Sequence, residues 1–165
     1  MTIQDIGSIG ELVAAIATVI TLAYLAMQVR SARDTAADTN RLNRANNVMG
    51  IATVLATHPD VLRSLSKAEG VTPYFESYAE KFDIDEGEAG AVNWMHCYTF
   101  WMHWGQYSSS TSPEDLAEIA NVVSEYYRNP AVRFSWDHSP YAKPMLDRRF
   151  VEFVEDAIKA KEDAA

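Results

Sequence analysis

The densest run of reactive side-chain types lies between Asn93 and Tyr107, where Trp94, His96, Cys97, Tyr98, Trp101, His103 and Trp104 follow closely. Imidazole and thiolate are the groups that bind zinc, act as general bases or attack electrophiles. The spacing argues against each use. On a helix, His96 and His103 share a face but stand about 10 Å apart along the axis. Two ligands of one zinc must each lie about 2 Å from it, so this pair cannot share a metal. His96 with Asn93 or Cys97 makes at most a partial site, and no HExxH, CxxC or Glu-x-x-His pair occurs. Cys97 stands among aromatic residues, where burial raises a thiol's pKa and quenches its reactivity. The expectation is that both histidines are core residues, hydrogen-bonded to tyrosines, carboxylates or backbone.

A second cluster, Ser135, Asp137 and His138, contains the residue types of a catalytic triad. Triads need groups that converge in space from a rigid scaffold, and adjacency in sequence does not arrange that. No G-x-S-x-G elbow and no glycine-rich phosphate loop is present. Phe134 and Trp136 are expected to plug a helical core, with Asp137 or Ser139 capping a helix end. The acids Asp83, Asp85, Glu86 and Glu88 lack the ligand spacing of a calcium loop and read as helix caps. No catalytic residue, metal ligand or cofactor site is therefore assigned, and the chain is expected not to be an enzyme. One binding reading stays open: an aromatic pocket among Trp94, Tyr98, Trp101, His103 and Trp136.

The elements that position these residues begin with Leu12 to Val29, eighteen residues without a charged side chain. As a helix this segment is roughly 27 Å long, close to the hydrocarbon thickness of a bilayer. Asp5 and Glu11 precede it, whereas Arg30, Arg33, Arg41 and Arg44 follow. That asymmetry places the N-terminus outside and the rest of the chain in the cytoplasm. A signal peptide would want a basic start and a small-residue cleavage site, and neither is found. Core helices of this length usually keep a polar stripe. A single membrane span is the expectation.

The span has an ordered seam. Gly7, Gly10, Ala14, Ala17, Thr21, Tyr24 and Gln28 fall at alternating spacings of three and four, and all are small or polar. Small residues let helices approach closely in lipid, and Thr, Tyr or Gln can hydrogen-bond across the contact. The seam is expected to dock another membrane protein or a second copy of the chain. The four arginines that follow lie where anionic lipid headgroups would attract them, each by about 1 kcal/mol.

Beyond the span the pattern is helical throughout, with no sustained period of two. Residues 30–57 continue the first helix, since no proline occurs before His58-Pro59. A short helix from Pro59 ends at Gly70, and residues 71–85 are irregular apart from one turn around Tyr74 to Lys81. A central apolar helix covers Glu86 to Tyr107. Ser112, Pro113, Glu114 and Asp115 open the next one. A short element spans Ala131 to Trp136, and Asp147 caps the last helix. The fold class is all-α: a membrane-crossing helix, residues 1–29, continuing through 30–57 and packed on an acidic helical bundle, 58–165.

That bundle carries nineteen acidic against ten basic side chains. Such a charge repels phosphate backbones, so nucleic acid is excluded as a partner. A single cysteine precludes an internal disulfide.

The order of parts resembles a group of uncharacterised bacterial proteins with one N-terminal span leading into a helical cytoplasmic domain. The likeness rests on YLAMQVRSARD at the exit from the span, THPDVLRSL at the second helix and the tyrosine- and tryptophan-rich central helix. RNPAVRFSW and PMLDRRFVEFVEDAI complete it. It implies the same topology and fold and says nothing of chemistry; the expected location is the inner membrane. The expected function is that of a membrane-anchored accessory or scaffolding subunit, with a membrane-tethered ligand-binding or sensory domain as the alternative.

Overall fold

A computed structural model describes the backbone of residues 3–110 and 112–164, and side chains within 10–110 and 112–164. The described residues form seven α-helices and one 3-10 turn, with no strand. They are α1 (Ile3–Thr57), α2 (Pro59–Glu69), α3 (Thr72–Phe82), α4 (Glu86–Ser109), α5 (Pro113–Tyr126), α6 (Pro130–His138) and α7 (Arg148–Asp163). The all-α expectation holds.

The chain divides into two compact units, Met1–Asn40 and Arg41–Ala165. Sequence spacing puts the corresponding boundary at residue 57. The difference lies in Ala45, Ala52 and Leu55, which are buried in the bundle's core and bring the end of α1 into the second unit.

In the first unit every residue from 10 to 29 is exposed. Leu12, Val13, Ile16, Val19, Ile20, Leu22, Leu25, Met27 and Val29 are each more than half exposed. Among the described residues one helix is thus long and apolar enough to cross a membrane, and its apolar window has no buried residue.

Local sequence explains the ends of the other helices. Pro59 and Pro113 occupy first-turn positions where a missing N–H costs nothing. Gly70 terminates α2 in the left-handed region at φ 71°, which a residue without a β-carbon adopts freely. The Ser112 hydroxyl accepts from the Asp115 N–H at 3.0 Å, and Asp147 Oδ1 accepts from the Arg149 N–H at 2.9 Å. Asp85 and Glu88 form a reciprocal capping box at the start of α4. Of the acids 83–88, Asp85 and Glu88 are thus caps, and Glu86 lies in the first turn of α4.

Residues 71–85 differ from expectation. They contain a full helix, α3, rather than one turn. Aromatic residues disfavour an isolated helix, but Phe75, Tyr78 and Ala79 bury one face against α4 and its neighbours, and packing outweighs propensity. The edge-on contacts of Tyr78 and Phe82 with Phe134 of α6 fix this face.

The core is centred on α4. One cluster joins Phe100, Trp101 and Trp104 to Val123, Tyr127, Trp136, Phe150 and Val154. Another joins Trp94 and Cys97 to Ala52, Leu55, Leu62 and Phe75. Helices approach closely at two glycines: Gly90 faces Leu62 of α2, and a β-carbon at Gly105 would lie 3.3 Å from Ala45 Cβ.

Candidate functional site

The seam residues Gly10, Ala14, Ala17, Thr21, Tyr24 and Gln28 are all exposed on α1, while Gly7 lies outside the residues with described surroundings. A β-carbon at Gly10 would meet nothing within 4 Å. The polar side chains make hydrogen bonds within the helix. Thr21 donates to the Ala17 carbonyl at 2.8 Å, and the Gln28 amide donates to the Tyr24 hydroxyl at 2.9 Å. Back-bonded threonines of this kind are compatible with an apolar surround, because the hydroxyl proton is already engaged.

The four arginines do not behave as one group. Arg30 and Arg33 are exposed in the first unit. In the second, Arg44 lies over the Trp104 ring at 5.8 Å and Arg41 reaches the Ser108 carbonyl at 3.5 Å. A cation over an indole face is held by the ring's quadrupole, so Arg44 has a role in the bundle itself.

In the bundle, the five candidate pocket residues do not surround a shared opening. Trp101 and Trp136 belong to one core cluster, and Trp94 belongs to a second, with Tyr98 packed against it. Trp136 is wholly buried, 5.1 Å from Phe100 and 4.9 Å from Tyr127 in edge-on contacts, and its indole N–H donates to Glu155 at 2.8 Å. Trp94 packs on Tyr141 at 4.7 Å. Trp94, Trp101 and Trp136 are core packing, and His103 borders an open groove between α4 and α5.

The histidines have separate fates. His96 Nδ1 lies 2.9 Å from Ser135 Oγ, which gives it the core hydrogen bond expected. His103 has no hydrogen-bond partner, against expectation, and its buried Nδ1 is unsatisfied. Burial lowers both rings to a pKa of about 4, so each is neutral near pH 7. A Ser–His pair therefore exists, but Ser135 is completely buried and the ring is far too weak a base to activate it. Sequence spacing missed the pair, because thirty-nine residues separate its members.

The Ser135, Asp137 and His138 run does not converge. Asp137 pairs with Arg133 at 2.8 Å and with Lys143 at 2.6 Å, whereas His138 stacks on Phe134 and contacts its carbonyl. Cys97 is buried, with Asn93 and the Tyr141 carbonyl as weak partners at 3.8 Å, and burial pushes its thiol up to about 12. No group of three histidine, cysteine or acidic side chains could hold a metal ion among the described residues.

A charged cluster that sequence reasoning overlooked joins α6, the 3-10 turn (Lys143–Met145) and α7. Glu155 accepts from Arg133 at 3.1 Å and from Trp136, and also pairs with Lys143. Burial alone would raise its pKa, but Lys143, Trp136 and Arg133 prevail and hold it below the usual carboxylate value.

No family model, curated protein or solved structure matches the chain.

Proposed function

We propose that the chain is a single-pass protein of the inner membrane that acts through contacts, as a non-catalytic accessory or scaffolding subunit of a membrane assembly. The observation that carries this reading is the exposure of every apolar side chain from Leu12 to Val29. Soluble monomers rarely expose apolar patches beyond a few hundred Å², so something covers this helix, and a length of roughly 27 Å suits a bilayer. Arg30 and Arg33 directly after the span favour a cytoplasmic bundle and an external N-terminus. Anionic headgroups at that leaflet are the natural partners of these two guanidinium groups.

The seam from Gly10 to Gln28 supplies the contact with a partner span. Its small residues permit close approach, and Tyr24 and Gln28 can hydrogen-bond across the contact. The bundle's histidines and cysteine are not poised for catalysis, which favours a binding role.

Mild-detergent solubilisation of native membranes, followed by size separation and identification of co-migrating chains, tests this reading. A large assembly with fixed stoichiometry is expected, and Ala14→Leu should release the chain while its bundle stays folded. Recovery as a monomer would overturn the accessory role, and recovery as a homodimer would assign the seam to self-association. Extraction by alkaline carbonate without detergent would overturn the membrane span.

A further inference from the structure

Residues 58–165 are strongly acidic, yet one face of the second unit is basic. A groove of about 270 Å³ opens where the end of α4 and the starts of α5 and α7 meet Arg41 of α1. Arg41 and Arg149 line it, and Trp104 and Tyr107 form its aromatic wall. Arg44 stands beside it, over the Trp104 ring at 5.8 Å. Asp147 is the one acid among the described lining residues, and its carboxylate caps α7, 2.9 Å from the Arg149 backbone N–H. The Arg149 guanidinium has no ion-pair partner among the described residues, whereas its neighbour Arg148 is held by Glu152 at 2.8 Å.

Three guanidinium groups against one carboxylate favour an anion. Ser108 and Ser110 donate their hydroxyl protons to the Gly105 and Gln106 carbonyls, so recognition falls to the arginines. A guanidinium fork matches phosphate oxygens through two parallel hydrogen bonds. Tryptophan and tyrosine are the residue types that collect at a membrane–water boundary. The chain itself supplies such a boundary: Arg41 follows Val29 by twelve residues, a length that spans at most about 43 Å. Tethered by the span, this groove meets headgroups at a far higher effective concentration than any free anion.

We propose that Arg41 and Arg149 hold the phosphate of an anionic phospholipid headgroup, with Arg44, Trp104 and Tyr107 bordering it. The bundle thereby makes a lipid contact of its own, separate from that of Arg30 and Arg33. It rests on the membrane span proposed above, but it depends on Arg149, which only the fold brings beside Arg41.

The full-length chain, reconstituted in vesicles that carry a trace of lipid with a nitroxide on its headgroup, provides the test. A bimane fluorophore is placed on Ser109→Cys, next to the groove, or on Ser31→Cys, just past the span; the buried native Cys97 stays unlabelled. Quenching is compared between phosphatidylcholine vesicles and vesicles with increasing phosphatidylglycerol. The Ser31→Cys label should be quenched in both. The Ser109→Cys label should be quenched saturably with phosphatidylglycerol only. Arg149→Gln, an exposed change that keeps the backbone cap, should raise the phosphatidylglycerol fraction at half-saturation about fivefold, the weight of one arginine at an anionic surface. A Ser109→Cys label indifferent to phosphatidylglycerol, or a response unchanged by Arg149→Gln, would overturn the headgroup contact while the Ser31→Cys signal upholds the span. Loss of quenching at Ser31→Cys would overturn the span, and this contact with it.

Discussion

Gly90 of α4 gives Leu62 of α2 the space that a β-carbon would occupy: a methyl group there would overlap Leu62 Cδ2 and lie 3.1 Å from its Cγ. Gly90 is helical, so alanine would ordinarily be the better residue by about 1 kcal/mol. Here the overlap prevails. Gly90→Ala should destabilise the bundle by about 1–3 kcal/mol, the usual cost of overpacking. Leu62→Ala in the same chain should recover part of that loss. A double-mutant cycle from denaturant midpoints measures the coupling, and strict additivity would contradict the contact.

Cys97 should be chemically silent in the folded protein. With its thiol pushed up to about 12, only about one molecule in ten thousand is thiolate at pH 8. Maleimide should label it only after denaturation. The native cysteine then needs no removal before single cysteines are introduced on either side of Leu12–Val29 to map orientation. Rapid labelling of the native chain would contradict the burial.

The two low-pKa histidines make stability depend on pH in a defined window. In the unfolded chain they titrate near 6.5, and in the folded protein near 4. Between those values the unfolded state binds more protons, so stability falls as pH drops from about 6.5 toward 4 and is flat above 6.5. The loss between pH 7.5 and 5 is on the order of 2 kcal/mol for each ring. His103→Gln should remove roughly half of the slope between pH 6.5 and 5, before most carboxylates titrate. Denaturation midpoints across that window give the answer, and an unchanged slope would mean that His103 is solvated.

Glu155 anchors Arg133, Lys143 and the Trp136 indole, which is wholly buried. Glu155→Gln keeps the shape but leaves two cations sharing Asp137. Glu155 is itself about a third exposed, so a loss of about 1–2 kcal/mol is expected rather than the full value of a buried pair. A shift in tryptophan fluorescence should accompany it. A fully stable Glu155→Gln would assign the cluster to the surface.

Leu22→Asp tests the span without touching the bundle. A carboxylate at the middle of a transmembrane helix costs about 3 kcal/mol of insertion. The variant should partition partly into the soluble fraction while its far-ultraviolet spectrum stays helical. Unchanged membrane retention would argue for an anchor elsewhere in the chain.

Much of the fold was legible locally. Ser112-Pro113, Asp147, Pro59 and Gly70 mark helix ends through interactions that stay within about one turn of the chain, so spacing alone located them. The helix α3 was not legible. Tyr74, Phe75 and Tyr78 have poor intrinsic propensity and become helical through partners as distant as Phe134. The seam on α1 followed from residue size at helical spacing. The placement of the aromatic residues was not legible either: Trp94, Trp101 and Trp136 fill core clusters, and types suited to binding are equally suited to filling a core.

By itself, the sequence determined that this is a helical protein with one apolar segment of bilayer length and an acidic remainder, because period, length and charge are local properties of the chain. Tertiary structure alone decided that Ser135 meets His96, that Glu155 gathers Arg133, Lys143 and Trp136, and that His103 is left unpartnered beside an acidic groove. Each of these depends on which helix faces bury against one another, and burial sets both the pKa of an imidazole and the cost of leaving it unpaired.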